Sequence, residues 1–132
     1  MTTVTTLDAS VLIALMNPHD AHHGDAVGVV RRAAITGELV AHPMTIAESA
    51  VGAADHGKLH DMRRAFVRLG LAAAPSDGEE PWRLAELRAS TRLPLPDCCV
   101  LDIALETHGT LATFDTRLAA VARARGVPLA FA

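Results

Sequence analysis

The 132-residue chain contains few aromatic side chains, few cysteines and almost no lysine. Aromatic residues make up 3% of the sequence, so alanine, valine and leucine must fill the core. The chain is therefore not a scaffold that stacks nucleobases on exposed rings. Lys58 is its one lysine and the formal net charge is −3, which excludes a generally basic nucleic-acid footprint. Any contact with nucleic acid must come from local arginines, helped by a metal ion.

The sequence also lacks a disulfide framework and a long apolar run. Cys98 and Cys99 are the only cysteines, and adjacent residues in a helix do not bridge easily, so we expect free thiols in a reducing compartment. The N-terminal sequence has no signal-peptide pattern, and the longest aliphatic runs are too short to span a membrane. We therefore expect a cytoplasmic protein without membrane contact, folded as a single domain over residues 1–132.

Short apolar strands alternate with amphipathic helices along the chain, which is typical of an α/β fold. We predict a three-layer α/β/α sandwich with a short, mostly parallel, five-stranded sheet. The predicted strands are Thr2–Thr6, Glu38–His42, Leu71–Ala74, Thr110–Thr113 and Val127–Phe131. Helices are expected after Asp8 and over about Asp20–Thr36, Pro43–Ala54, Leu59–Leu69, Glu79–Arg92, Asp97–His108 and from Asp115 to Gly126. Gly37 is expected to cap a helix, and Leu93–Pro96 to form an extended connector.

Four acidic residues fall at junctions between these elements: Asp8, Glu48, Asp97 and Asp115. The three aspartates precede predicted helices, where Asp is a preferred N-cap, so capping alone could explain each of them. Glu48 lies inside a helix and has no such explanation, although a solvated helix face would accommodate it.

Taken together, the four acids point to one site. The carboxyl ends of parallel strands share an edge of the sheet, and the helices that follow begin there. Converging carboxylates repel one another unless one is protonated or a cation is present. An all-oxygen acidic site favours Mg²⁺ or Mn²⁺ over zinc, and such ions support attack of water on a phosphodiester.

Other chemistry-bearing residues have simpler explanations. His19, His22 and His23 lie within five residues of one another, but they are expected to be surface histidines, with a role at the rim of an RNA or partner site as the alternative. Cys98 and Cys99 are expected to fill the core as small apolar groups. Arg92 and Arg117 flank the acidic junctions and are candidate phosphate-binding residues, since arginine grips phosphate in a fork geometry. The alternative for Arg92 is a favourable interaction with the negative end of the helix dipole, and the alternative for Arg117 is an ordinary solvated surface position.

Four segments, in order and spacing, carry a family resemblance over nearly the whole chain. The chain resembles the PIN-domain nucleases, in particular the VapC-like toxin ribonucleases of type II toxin–antitoxin pairs. The matching segments are Leu7-Asp8-Ala9-Ser10-Val11-Leu12-Ile13-Ala14-Leu15, Thr45-Ile46-Ala47-Glu48, Leu95-Pro96-Asp97-Cys98-Cys99-Val100-Leu101 and Leu111-Ala112-Thr113-Phe114-Asp115.

The resemblance implies a function and a set of site residues. It implies that Asp8 and Asp97 bind the metal directly, that Glu48 and Asp115 do so directly or through water, and that Ser10 and Thr113 support them with their hydroxyls. The implied activity is a Mg²⁺-dependent endoribonuclease whose metal-activated water cuts RNA. A cognate antitoxin would silence it by inserting a segment into the acidic groove, and the helices from Pro43 to Leu69 would serve toxin dimerisation or antitoxin contact.

One residue departs from the family pattern, and two other function classes compete with the nuclease. Asp102 stands where a small or apolar residue is expected and points about 140° away from Asp97 on an ideal helix, so we expect a surface charge or a salt-bridge partner. A phosphotransfer or phosphatase domain would need acidic or lysine partners that the positions around Asp8 do not supply. A non-catalytic RNA- or protein-binding α/β module with a vestigial acidic site is the remaining alternative.

Overall fold

The computed structural model describes residues 3–131, in which a parallel β-sheet lies between two layers of helices. The strands are β1 (Thr3–Leu7), β2 (Gly37–Ala41), β3 (Leu71–Ala73) and β4 (Thr110–Ala112). The helices are α1 (Ala9–Met16), α2 (His23–Thr36), α3 (Pro43–Asp55), α4 (Leu59–Leu69), α5 (Glu80–Thr91), α6 (Leu95–Glu106) and α7 (Thr116–Ala124). The α/β class, the three layers and the parallel sheet are confirmed.

Within residues 3–131 the sheet has four strands rather than the predicted five, in the order β3-β2-β1-β4. The predicted fifth strand is reduced to an isolated parallel bridge between Leu111 and Leu129. Two backbone hydrogen bonds hold it, from Leu111 to Pro128 and from Ala130 to Leu111. Proline has no N–H to donate, which limits the ladder on this edge. Thr2, the first residue of the predicted first strand, lies outside the described residues.

The strand order puts a topological switch between β1 and β4. From β1 the chain crosses to β2 and β3 on one side, and β4 then pairs with the other edge of β1. In open α/β sheets the crevice at such a switch, at the carboxyl ends of the strands, is the usual ligand site. Leu7 pairs with Ala112 in the ladder, so the residues that follow them, Asp8 and Thr113, meet at this crevice.

The two larger buried apolar clusters cover the two faces of the sheet. One packs α1, α2 and α4 against β1 and β2, with side chains such as Leu12, Val29 and Phe66. The other packs α5, α6 and α7 against β4, with side chains such as Leu101 and Leu118. Because the chain has few aromatic side chains, small and medium-sized aliphatic side chains fill most of the core. In the described part of the chain, no helix is both long enough and apolar enough to cross a membrane.

One local prediction fails, and a second is correct with a different backbone geometry. Helix α6 begins at Leu95, so the expected connector Leu93–Pro96 ends two residues early. Proline is accommodated in the first turn of a helix because its missing N–H would have no intrahelical partner there. Gly37 ends α2 as predicted and donates its N–H to the carbonyl of Ala33, although with φ 176° its backbone is extended and not left-handed. A side chain at Gly37 would collide with the backbone of Thr3 on the neighbouring strand, so close strand approach requires the glycine.

Candidate active site

Asp8 lies at the end of β1, buried against β4. Its backbone N–H donates to the carbonyl of Ala112 over 3.0 Å, which ties the ends of the two strands together. Its Oδ1 accepts from the N–H of Ala9 at 2.7 Å, so it does cap α1. Its Oδ2 accepts from the hydroxyls of Ser10 at 2.9 Å and Thr113 at 2.6 Å. Because all these bonds act on one buried carboxylate, its orientation is set within narrow limits.

The hydroxyls of Ser10 and Thr113 connect Asp8 to the loop between β4 and α7. Ser10 Oγ accepts from the N–H of Phe114 at 3.0 Å, and Thr113 Oγ1 accepts from the N–H of Asp115 at 3.0 Å. Each hydroxyl therefore donates to Asp8 and accepts from a loop amide. This arrangement holds the loop in place and leaves each hydroxyl proton directed at the carboxylate.

Asp115 begins α7, and its exposed side chain works as the N-cap. Its Oδ1 accepts from the N–H groups of Arg117 and Leu118, both at 2.9 Å. Among the hydrogen bonds of residues 3–131, none involves its Oδ2. The capping role anchors the side chain at the carboxyl edge of the sheet and leaves one oxygen for another contact.

Asp97 does not cap a helix. Since α6 starts at Leu95, Asp97 is its third residue, and the cap position is taken by Pro94. Asp97 therefore lies in the first turn of α6, at the start of the helix as predicted, but capping does not explain it. Burial raises the pKa of Asp97 to about 6, and the negative charges of Asp8, Asp115 and Glu48 add to the effect. Asp97 thus lies within electrostatic reach of the other three acids.

Glu48 lies in the second turn of α3 with an exposed side chain. Exposure agrees with a solvated helix face, but the charge of Glu48 acts on both Asp97 and Cys99, so this face borders the acidic crevice. The neighbouring Ser49 is buried and donates to the carbonyl of Thr45 at 2.8 Å, so its hydroxyl is used within the helix.

A basic group stands beside the acids. The charge of Arg117 lowers the pKa of Asp97, against the three carboxylates that raise it. The guanidinium of Arg117 also donates from Nη2 to the carbonyl of Arg92 at 3.0 Å. Arg92 has a left-handed backbone, φ 64°, at the end of α5, and its side chain is exposed. Arg117 therefore belongs to the rim of the acidic crevice, and the contact that Arg92 makes there is through its backbone.

The residues fit a hydrated divalent cation better than a tight cage. Over residues 3–131, no three His, Cys, Asp or Glu side chains stand close enough to enclose a metal ion by themselves. Mg²⁺ usually takes one or two carboxylates and keeps several waters, so it does not require such a cage. A cation would relieve the repulsion that Asp97 experiences. The donors are all oxygen, which suits Mg²⁺ or Mn²⁺.

The cysteines near the site are not metal ligands in this arrangement. Cys98 and Cys99 are buried free thiols. Burial raises the pKa of both, that of Cys99 to about 11, so they remain neutral. This agrees with the expectation that they fill the core.

The three neighbouring histidines do not act together. His19 is exposed, and His23 contacts the carbonyl of Ala14 through Nδ1 at 2.8 Å. His22 stacks on Phe114 with ring centroids 4.2 Å apart, and Phe114 in turn contacts Phe131 at 4.4 Å. This stack packs beside the loop that carries Asp115. It joins residues distant in sequence, so no local pattern could have indicated it.

Asp102 is a salt-bridge partner, as one of the two expectations had it, but it is not a surface charge. It is buried and accepts two hydrogen bonds from Arg83, at 2.8 and 3.1 Å. Arg83 also pairs with Asp77 at 3.1 Å and Glu106 at 3.4 Å. The pair fastens α5 to α6, the helix that carries Asp97.

His42 contributes to the site indirectly, which the sequence did not indicate. Its Nδ1 accepts from the N–H of Met44 at 3.0 Å and so caps α3, the helix that carries Glu48. Since Nδ1 is the acceptor, Nε2 carries the proton that points to Glu80 Oε1 at 3.1 Å. This contact connects α3 to α5, which packs against α6, the helix that carries Asp97.

Comparison with solved structures shows the same fold at low sequence identity. The crystal structure of VapBC2 from Rickettsia felis, bound to a DNA fragment from their promoter, gives a TM-score of 0.73 at 14% identity, covering 96% of both chains. PAE2754 from Pyrobaculum aerophilum gives 0.59 at 19% identity, covering 98% of this chain and 92% of that one. A domain of a functionally unknown Methanocaldococcus jannaschii protein gives 0.60 at 16% identity, covering 97% and 89%.

Comparison by sequence gives the family. No curated protein sequence matches the chain significantly. The family model described as PIN domain matches residues 5–124, which include all four acids of the crevice. The chain therefore belongs to the PIN domain family.

Proposed function

We propose that this protein is a Mg²⁺- or Mn²⁺-dependent endoribonuclease that acts as the toxin of a toxin–antitoxin pair on cytoplasmic RNA. The observation that carries the proposal is that Asp97 is half-buried and that the charges of Asp8, Asp115 and Glu48 all raise its pKa, while Asp8 is fixed at the crevice between β1 and β4. Acidic residues with a purely structural role would not need to lie close enough for their negative charges to repel one another. Membership in the PIN family and the likeness to VapBC2 favour a nuclease of this kind. The proposed catalytic domain spans residues 1–132.

Each acid has its own part in the proposed site. Asp8 and Asp97 would hold the cation, and Glu48 and Asp115 would contact it directly or through water. When bound, the ion would supply positive charge at the phosphodiester and a more acidic water. Asp8 is kept in position by Ser10 and Thr113. Asp97, with a pKa of about 6, can exchange a proton near neutral pH.

Arg117 is the candidate phosphate-binding group at the rim. Its guanidinium is exposed and already influences Asp97, so a substrate phosphate at the crevice would come within its reach. Arginine binds phosphate oxygens through paired N–H donors. Arg92, as the other proposed phosphate-binding residue, would act with its exposed side chain while its carbonyl holds Arg117.

Exposed apolar side chains on α1, α3 and α4 support a protein partner. Ile13, Met16, Val51 and Leu59 are 45%, 37%, 58% and 49% exposed. We assign this surface to the antitoxin or to a second toxin chain, giving a homodimer or a toxin–antitoxin hetero-oligomer. Mass measurement of the purified chain, alone and with the protein encoded beside it, tests this assignment. A chain that stays monomeric in both samples would contradict it.

The nuclease proposal is tested by RNA cleavage. Wild type should cut single-stranded RNA with Mg²⁺ or Mn²⁺ and should stop when EDTA is added. Asp97→Asn should lose at least about 100-fold in rate, on the scale of removing a general acid–base group. Asp55→Asn, which neutralises an exposed acid at the end of α3, is the matched control and should cut like wild type. Cutting in EDTA, or full activity of Asp97→Asn, would favour the non-catalytic binding module instead.

A further inference from the structure

Helix α4 presents a basic face to solvent. His60, Arg63, Arg64, Val67 and Arg68 line an open depression with a volume of about 360 Å³. All five side chains are exposed. This concentration of positive charge is unexpected in a chain whose formal net charge is −3.

The arginines of this face have no acidic partners. In the described part of the chain, no carboxylate lies within 4.0 Å of Arg63, Arg64 or Arg68, whereas Arg83 on α5 pairs with three acids. Asp61 is the one acidic residue on α4. The guanidinium donors on this face are therefore left to water or to a ligand.

The face is built on a well-anchored helix. Met62 and Phe66 are buried in the core on the opposite side, and Gly70 ends α4 with a left-handed backbone, φ 72°. Residues three and four positions apart lie on one side of a helix, with Cβ atoms about 5–6 Å apart. Arg64 and Arg68 thus form a row on a fixed support.

The basic face is separate from the apolar surface assigned above to a protein partner. A groove with a volume of about 610 Å³ lies between α1, α3 and α4, and Ile13 and Met16 of that apolar surface line it. The depression on the basic face shares no lining residue with this groove.

We propose that the basic face of α4 binds the phosphate backbone of single-stranded RNA, so that the substrate is held outside the acidic crevice as well as within it. This inference rests on the proposed ribonuclease function. The paired donors of arginine match phosphate oxygens better than a lysine ammonium does. A second copy of this chain would be repelled by the same charge, so the face does not suit a symmetric contact with itself. Binding of this kind is independent of base sequence.

The test is binding of labelled oligouridylate, followed by fluorescence anisotropy in EDTA so that no cleavage occurs. The double variant Arg64→Gln/Arg68→Gln removes two charges from α4. At about 0.1 M salt, its Kd should rise on the order of tenfold, and the slope of log K against log salt should fall by about 1.4. The matched control is Arg31→Gln/Arg32→Gln, which removes two exposed arginines from α2 and should bind like wild type. Circular dichroism verifies that both variants are folded.

Three outcomes would overturn the inference. In the first, the α4 variant binds oligouridylate with the Kd of wild type. In the second, the Kd rises equally in both double variants, which would mean that only the net charge matters. A polyglutamate chain of equal length could bind wild type as tightly as oligouridylate, which would indicate an acidic protein partner. Wild type that binds RNA through α4 but never cuts it contradicts only the nuclease proposal. Wild type that cuts RNA while the α4 variant binds normally contradicts only this inference.

Discussion

Thr113 donates a 2.6 Å hydrogen bond to Oδ2 of Asp8, although the two residues are 105 positions apart in the chain. The same hydroxyl accepts from the N–H of Asp115. One buried threonine therefore positions two of the four acids in the crevice. The contact exists because β1 and β4 are neighbours in the sheet.

Replacing Thr113 should show how far the site depends on this hydroxyl. Thr113→Val keeps the shape but leaves the N–H of Asp115 without its acceptor and removes one of the two hydroxyls that donate to Oδ2 of Asp8. We expect the free energy of unfolding to fall by about 1–3 kcal/mol, the range for an unsatisfied buried group. Urea denaturation measures the change. Thr113→Ser, which keeps the hydroxyl, is the control and should lose less, and equal losses for the two variants would argue against the bond.

Asp97 should make stability depend on pH in the absence of metal. Its pKa is raised from 3.8 to about 6 on folding, so the folded state binds the proton more tightly than the unfolded state. The resulting stabilisation is complete below pH 3.8 and is lost as pH rises through about 6.

The variant Asp97→Asn measures this effect. Above pH 7 it should be more stable than wild type by roughly 1 kcal/mol, a figure reduced for solvent screening because the side chain is only half-buried. The gain should shrink as pH falls to about 4, where wild type is protonated. Urea denaturation in EDTA at several pH values gives the curve. A gain of equal size at every pH would mean that the charge of Asp97 is not its cause.

Binding of a divalent cation should stabilise the fold. A ligand that binds only the folded state at ten times its Kd adds about 1.4 kcal/mol to the free energy of unfolding. Thermal unfolding with and without Mg²⁺ or Mn²⁺ should show this rise for wild type. The rise should be lost in Asp97→Asn and kept in Asp55→Asn. Stabilisation of equal size in all three proteins would place the ion elsewhere.

The buried carboxylate of Asp102 should be important for stability and not for chemistry. Asp102→Asn should lower the free energy of unfolding by about 2 kcal/mol, since hydrogen bonds to charged groups contribute about 1.5–3 kcal/mol. The cleavage rate of the folded variant should stay near that of wild type. A double-mutant cycle with Arg83→Gln separates the pairing from other effects. Loss of cleavage in a stably folded Asp102→Asn would mean that this residue acts in the site.

Local patterns accounted for much of the architecture. Alternation and helical periodicity located the elements, and Asp8 and Asp115 do cap α1 and α7 as their positions before apolar helical segments indicated. Capping does not explain Asp97 because α6 begins two residues earlier than predicted, since Pro96 fits the first turn of the helix. The prediction of a fifth strand was wrong because a strand needs regularly spaced N–H donors to pair, and Pro128 has no N–H to donate.

Local sequence patterns could not predict the contacts between segments that are distant in the chain. Arg83 and Asp102 are 19 positions apart, His42 and Glu80 are 38 apart, and nothing in either local sequence selects the partner. The three arginines of α4 are visible in the sequence, but only the structure shows that they are exposed and that, within residues 3–131, no carboxylate pairs with them.

The amino-acid sequence by itself determined the periodicities, the helix caps and the places where acids follow strands, because these depend on neighbours within a few residues. The tertiary structure decided the strand order β3-β2-β1-β4, and with it the meeting of Asp8 and Thr113 at the β1–β4 crevice. It also decided which charges are paired and how strongly Asp97 holds its proton. These properties depend on burial and on distances through space, which a linear order of residues does not contain.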